Sequence, residues 1–128
     1  MYAALRFICA LKKQELLTGL TLHEWIDQRP PLIATPPLKI PVAGHTIDPT
    51  NTQFDIIKNL QTILRDKGVA FCDIDGVRVE EASGWWVVRG SNTEDHISLK
   101  VEADTDADLD QLLTQIELYL KASGLKDA

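Results

Sequence analysis

Apolar residues recur with a helical period from the start of the chain. Leu5, Ile8 and Cys9 fall at i, i+3 and i+4, and Leu16 and Leu17 extend the stripe. Gly19 is the expected stop. Thr21 is placed to cap a short second helix carrying Leu22, Trp25 and Ile26, with Glu24 in position for a capping box. All six prolines then lie between positions 30 and 49. Proline lacks the amide N–H and fixes φ, so the stretch holding Pro30, Pro31, Pro36 and Pro37 cannot be a helix. It reads as an extended linker that sets the opening helices apart from the rest. Residues Lys39 to Val42 form a candidate strand that Pro41 confines to a sheet edge.

From Asn51 to Lys67 the helical period returns, with Ile56, Ile57, Leu60, Ile63 and Leu64 on one face and Gly68 at the expected left-handed cap. Three strand-like pieces follow, roughly Val69–Ile74, Val77–Glu81 and Trp85–Arg89. Asp75-Gly76 and Ser83-Gly84 supply the turns between them. After a polar loop, Ile97, Leu99 and Val101 alternate with Ser98, Lys100 and Glu102, the period of a half-buried strand. A last helix carries Leu109, Leu112, Leu113, Ile116 and Leu120 on one face. Thr105 caps it, Asp106, Asp108 and Asp110 suit its positive end, and Gly124 stops it. The order predicts an α+β fold: a four-stranded, mainly antiparallel sheet with two helices packed on one face.

Composition narrows the function classes. The chain has 128 residues, 45% of them hydrophobic, enough for one domain with a core and some flanking sequence. Cys9 and Cys72 show neither CxxC nor metal-ligand spacing and read as reduced packing residues, with a reactive thiol as the lesser alternative. The sequence has no bilayer-length apolar run and no signal-peptide pattern, so a cytoplasmic protein without membrane contact is expected. Nineteen acidic against thirteen basic residues give a net charge of −6 with no basic stripe, which disfavours nucleic acid as a partner.

The chemistry concentrates in Arg89-Gly90-Ser91-Asn92-Thr93-Glu94. By composition alone this is a polar hairpin loop, since Gly, Ser, Asn and Thr are ordinary turn residues. The same residues suit a phosphate. Arg89 offers a planar fork to two oxygens, and Ser91, Asn92 and Thr93 offer further donors. Gly90 permits close backbone approach, and such turns can aim successive N–H groups at one anion.

Linked pieces in order make the pattern more specific: Asp75-Gly76-Val77-Arg78-Val79, then Gly84-Trp85-Trp86-Val87-Val88-Arg89-Gly90-Ser91-Asn92-Thr93-Glu94, then Leu99-Lys100-Val101-Glu102-Ala103. Together they resemble the last domain of the α-D-phosphohexomutases, the family of phosphoglucomutase and phosphomannomutase, over residues 37–124. That domain is similar to the TATA-box-binding-protein fold. The resemblance implies three parts: residues 1–28 as terminal helices of a preceding domain, 29–37 as a proline-rich hinge, and 38–125 as the C-terminal domain. It also implies that Arg89, Gly90, Ser91, Asn92 and Thr93 clasp the non-reacting phosphate of a hexose phosphate. Lys100 either adds positive charge there or simply faces solvent. The family usually has proline after Thr-Glu. Here Asp95-His96 follows, which is expected to loosen the loop's exit and to set a negative charge beside the site.

The family's reactive parts are missing. There is no phosphoserine loop, no D-G-D-x-D-R run for Mg²⁺ and no G-E-x-S-G-H loop for the sugar. Asp73 and Asp75 echo a metal loop, but they sit in a hairpin turn with too few carboxylates. His23, His45, His96 and Asp55 form no triad or ligand spacing. The expectation is a lid domain of a larger intramolecular phosphotransferase, inactive alone and without a cofactor of its own. Its parent would use Mg²⁺ and a hexose bisphosphate, and its partners would be hexose phosphate and the remaining domains. The alternative from the residues is a stand-alone interaction module using Trp25 and the amphipathic stretch Tyr2–Leu17.

Overall fold

The computed structural model describes residues 2–28 and 32–126, which divide in sequence into two compact units, one before and one from Leu32 onward. The first unit is a helical pair, α1 (Tyr2–Thr18) and α2 (Leu22–Asp27). Gly19, at φ +70°, ends α1 as its position predicts. At α2 the capping box forms in full: Thr21 accepts from the Glu24 N–H, and the Glu24 carboxylate accepts from the Thr21 N–H. Within this unit the apolar stripe of α1 stays open, with Leu5, Ile8, Leu16 and Leu17 all exposed.

The second unit is an α+β sandwich built from β1 (Ile33–Ala34), β2 (Leu38–Pro41), α3 (Gln53–Asp66), β3 (Val77–Glu81), β4 (Gly84–Gly90), β5 (His96–Ala103) and α4 (Asp106–Ala122). All pairings are antiparallel, and β5 is the hub of the sheet. One side of β5 pairs with β4, which pairs with β3. The other side takes β2 from Leu38↔Leu99 to Pro41↔His96, and β1 at Ile33↔Ala103 and Ala34↔Glu102. Pro41, without an N–H to donate, ends an edge strand as expected.

Two readings of the sequence change. Ile33 and Ala34, placed in the linker, are a strand of the sheet, and the Thr35 N–H continues the edge by donating to the Val101 carbonyl. Arg29, Pro30 and Pro31 of the expected hinge lie outside the described residues. Conversely, Val69–Ile74 is not a strand. Cys72 exchanges two hydrogen bonds with Arg78 and nothing more of the segment pairs. Its apolar pattern reflects packing instead, since Val69 and Phe71 lie against the core as irregular chain while Ile74 is exposed. Cys72 is exposed as well, and so is Cys9, so neither is the packing residue its sequence suggests.

Alternation decides which face is buried. Val77, Val79, Trp86, Val88, Ile97, Leu99, Val101 and Ala103 share one face of the sheet and are buried. Against them pack Ile56, Ile57, Leu60 and Leu64 of α3 and Leu112, Ile116 and Leu120 of α4. Trp86 is the largest side chain of this core and fully buried. Its indole N–H donates to the Glu81 carboxylate, which also accepts from Gln115 of α4. The opposite face is open and carries Lys39, Arg78, Glu80, Trp85, Arg89, Lys100 and Glu102. Among the described residues no helix is long and apolar enough to cross a membrane.

Two predictions follow from this core and its caps. Trp86→Ala should cost about 3–5 kcal/mol, seen as a lower denaturant midpoint for the second unit. At α3, Thr52 caps the helix, and its hydroxyl first and its N–H second hold the Asp55 carboxyl below the ordinary aspartate value. A lowered folded-state pKa gives stability that is complete above the unfolded value and is lost as pH falls through the folded one. In Thr52→Ala, carboxyl NMR should therefore show Asp55 titrating closer to the ordinary value.

Candidate functional site

The ladder between β4 and β5 ends at Gly90↔Ile97, so residues 91–95 must turn the chain within one short connection. The Ser91 N–H donates to the His96 carbonyl, and the His96 N–H to the Glu94 carbonyl. Inside this loop the Ser91 hydroxyl oxygen accepts from the N–H groups of Thr93 (3.4 Å) and Glu94 (3.2 Å). Two backbone N–H groups that the sequence reading offered to an anion are thus turned onto Ser91. The consequence for chemistry is useful: a hydroxyl oxygen that already accepts twice has its O–H left to donate outward. Asn92 and Thr93 are exposed, and among the described residues their side chains have no intramolecular partner.

The first turn of α3 holds the loop from beneath. Gln53 is buried, and its side-chain amide donates to the Ser91 carbonyl at 2.8 Å and, at 3.5 Å, to that of Glu94. Gly90 has a packing reason to be glycine. A Cβ there would stand 3.2 Å from Gln53 Cγ and 3.3 Å from the Phe54 ring. The exit is also tied, although Asp95 stands where proline was expected. The Val42 N–H donates to the Asp95 carbonyl at 2.9 Å, and the Glu94 carboxylate faces His96 Nδ1 at 3.1 Å and Lys39 at 3.4 Å. These bonds from β2 and β5 replace the stiffness a proline would give.

Arg89 is the last outward-facing residue of β4, and its Nη2 lies 2.7 Å from Asp75 Oδ2. Asp75 is set there by the turn before β3. Gly76 adopts φ +88° and presses against β4 so closely that a Cβ would meet the Val88 carbonyl oxygen at 2.1 Å. Gln61 of α3 fixes the same turn by donating to the Gly76 carbonyl at 3.2 Å. Across the open face, Lys39 pairs with Ser98, which pairs with Arg89, so a second cation flanks the loop. Lys100 is turned elsewhere. It stands opposite Val87, and its ammonium lies 2.9 Å from Glu102 and 5.7 Å above the Trp85 ring.

Arg89 thus ends the outward face of β4 against Asp75, Gly90 to Thr93 form the turn that follows it, and Lys100 lies to one side against Glu102. Gln53, Asp75 and Lys39 were missed. Gln53 left a trace, because it is a polar residue in register with Ile56, Ile57 and Leu60. The residues present do not fit a magnesium ion. Asp73 faces Arg65 and Asp75 faces Arg89, and no group of three or more His, Cys, Asp or Glu gathers among the described residues.

Gln53→Ala removes the donor that holds both loop carbonyls. It should destabilise the loop by about 1 kcal/mol and speed amide hydrogen exchange at Thr93 and Glu94, leaving exchange in β3 unchanged.

The chain is similar to proteins of one known family. The family model described as the C-terminal domain of phosphoglucomutase/phosphomannomutase matches residues 48–118, which include α3, the hairpins, the loop and most of α4. A phosphomannomutase/phosphoglucomutase of Pseudomonas aeruginosa is 36% identical over 90 residues, covering 70% of this chain and 18% of its own. One from Pseudomonas putida is 34% identical over 112 residues, 88% of this chain and 22% of its own. A crystal structure of a phosphoglucomutase/phosphomannomutase family protein from Burkholderia thailandensis superposes with a TM-score of 0.59 at 27% identity. It covers 77% of this chain and 19% of that one. The chain thus spans about a fifth of the length of the relatives it matches. By the family model over residues 48–118 and these relatives, it belongs to the phosphoglucomutase/phosphomannomutase family, of which it carries the C-terminal domain.

Proposed function

We propose that the β4–β5 loop grips the non-reacting phosphate of a hexose phosphate, with Arg89, Ser91, Asn92 and Thr93 as the donors. The observation that carries this reading is the state of Ser91. Its oxygen already accepts from two backbone N–H groups, so its hydroxyl is left as a donor in the loop that also carries the exposed Asn92 and Thr93, two residues after Arg89. Hydroxyl and amide donors in one loop directly after an arginine suit a phosphate oxygen set better than a neutral hydroxyl group. In this role the loop orients the sugar, and phosphoryl transfer takes place on groups outside this chain.

Residues 29–37 are proposed to act as the hinge, though Ile33 and Ala34 move with the sheet rather than with the linker. The open stripe of α1 would then rest on the preceding part of a longer protein. Swinging the second unit over a cleft would shut water out while the phosphate is held and allow release on opening. The parent enzyme is proposed to be a cytoplasmic mutase of glucose or mannose phosphate that uses Mg²⁺ and a hexose bisphosphate. By itself the present chain binds and does not catalyse.

The test is a ¹⁵N titration of the chain with glucose 6-phosphate, mannose 6-phosphate and inorganic phosphate. Amide shifts confined to Gly90–Glu94 are expected, with affinity lowered roughly tenfold or more in Arg89→Ala. Shifts elsewhere, or an affinity that Arg89→Ala leaves unchanged, would contradict the assignment.

A further inference from the structure

Resting on that reading, we infer that Asp75 is a built-in competitor for Arg89: a positioning residue that holds the guanidinium while the loop is empty and weakens the grip on phosphate. The pair is close, at 2.7 Å, yet both side chains are more than half exposed. An exposed ion pair is readily opened, so it is a counterion Arg89 can leave or share when a phosphate arrives. Its placement does not depend on a mobile side chain meeting another by chance. Gly76 presses against the Val88 carbonyl oxygen and the Arg89 Cα, and Gln61 holds the Gly76 carbonyl from α3. The turn is therefore bolted to the strand that carries Arg89.

Other pairs on the open face do not do this. Arg78 pairs with Glu80 two residues along its own strand, and Lys100 pairs with Glu102 in the same way. Lys39 pairs with Glu94, which is itself part of the loop. Arg89 takes its partner from the turn before β3, which α3 fixes and which is not part of the β4–β5 loop. Asp75 and a bound phosphate would sit against the same guanidinium, and their charges repel across it. An N–H held by the carboxylate is withheld from the phosphate, so Asp75 sets the affinity low. A low affinity favours a domain that must release its sugar.

Four proteins test this: the 128-residue chain, Asp75→Asn, Arg89→Ala and the double variant. Each is titrated with glucose 6-phosphate at pH 8, where the phosphate is doubly charged, and read at the Gly90–Glu94 amides. Asparagine keeps the shape and removes the charge, and unchanged amide positions in β3 confirm the fold. Asp75→Asn should bind roughly two- to tenfold more tightly than the parent chain, and the double variant should lose that gain. A purely structural Asp75 would not yield a tighter complex when replaced. Unchanged or weaker binding in Asp75→Asn, with Arg89→Ala still abolishing it, would overturn the inference and leave the phosphate reading standing. Flat spectra in all four would overturn both.

Discussion

The ladder that runs from Gly84↔Ala103 to Gly90↔Ile97 fixes what the rest of this molecule can do. Because β4 and β5 stay paired up to Gly90, the connection between them has to close at once, and Ser91 can only answer the carbonyl of His96. That closure folds the Thr93 and Glu94 N–H groups onto the Ser91 oxygen and leaves the polar side chains facing out. The ladder's strict alternation also puts Trp86 and Val88 in the core and Arg89 outside. A slip of one residue would exchange them, so the apolar face that holds the domain together also aims the arginine.

Around this ladder, each neighbour contributes one restraint. The first turn of α3 supplies Gln53 beneath the loop, and Gly90 lets that turn come close. The edge strand β2 brings Lys39 to Glu94, and Val42, just beyond its end, takes the Asp95 carbonyl. The turn before β3 sets Asp75 against Arg89. The loop is thus held from three sides by elements far apart in sequence, which is how a short polar segment keeps one shape without proline.

Much of this was legible in the chain itself. The capping residues Thr21, Thr52 and Thr105, the stops at Gly19, Gly68 and Gly124, and the alternation of Ile97, Leu99 and Val101 are local signals, and each corresponds to a local structure. The place of the polar loop between β4 and β5 was legible too, because its turn residues are continuous. What escaped depends on contacts between distant segments. Ile33 and Ala34 are a strand only because Ala103 and Glu102 lie beside them, and nothing between two proline pairs announces it. Val69–Ile74 shows apolar spacing that packing against the core explains as well as pairing does. Asp75 was read as a turn residue, which it is, but its partner lies across a turn whose closeness to β4 no local pattern encodes.

The central claim is that one loop, pre-shaped by the β4–β5 ladder, receives the phosphate of a hexose phosphate. A crystal structure of this chain with glucose 6-phosphate tests it most directly. The account predicts phosphate oxygens within hydrogen-bonding distance of the Arg89 guanidinium and the Ser91 hydroxyl, with the loop backbone unchanged from its empty form. A phosphate bound elsewhere on the domain, or a loop that must rebuild its Ser91 contacts to receive it, would contradict the account.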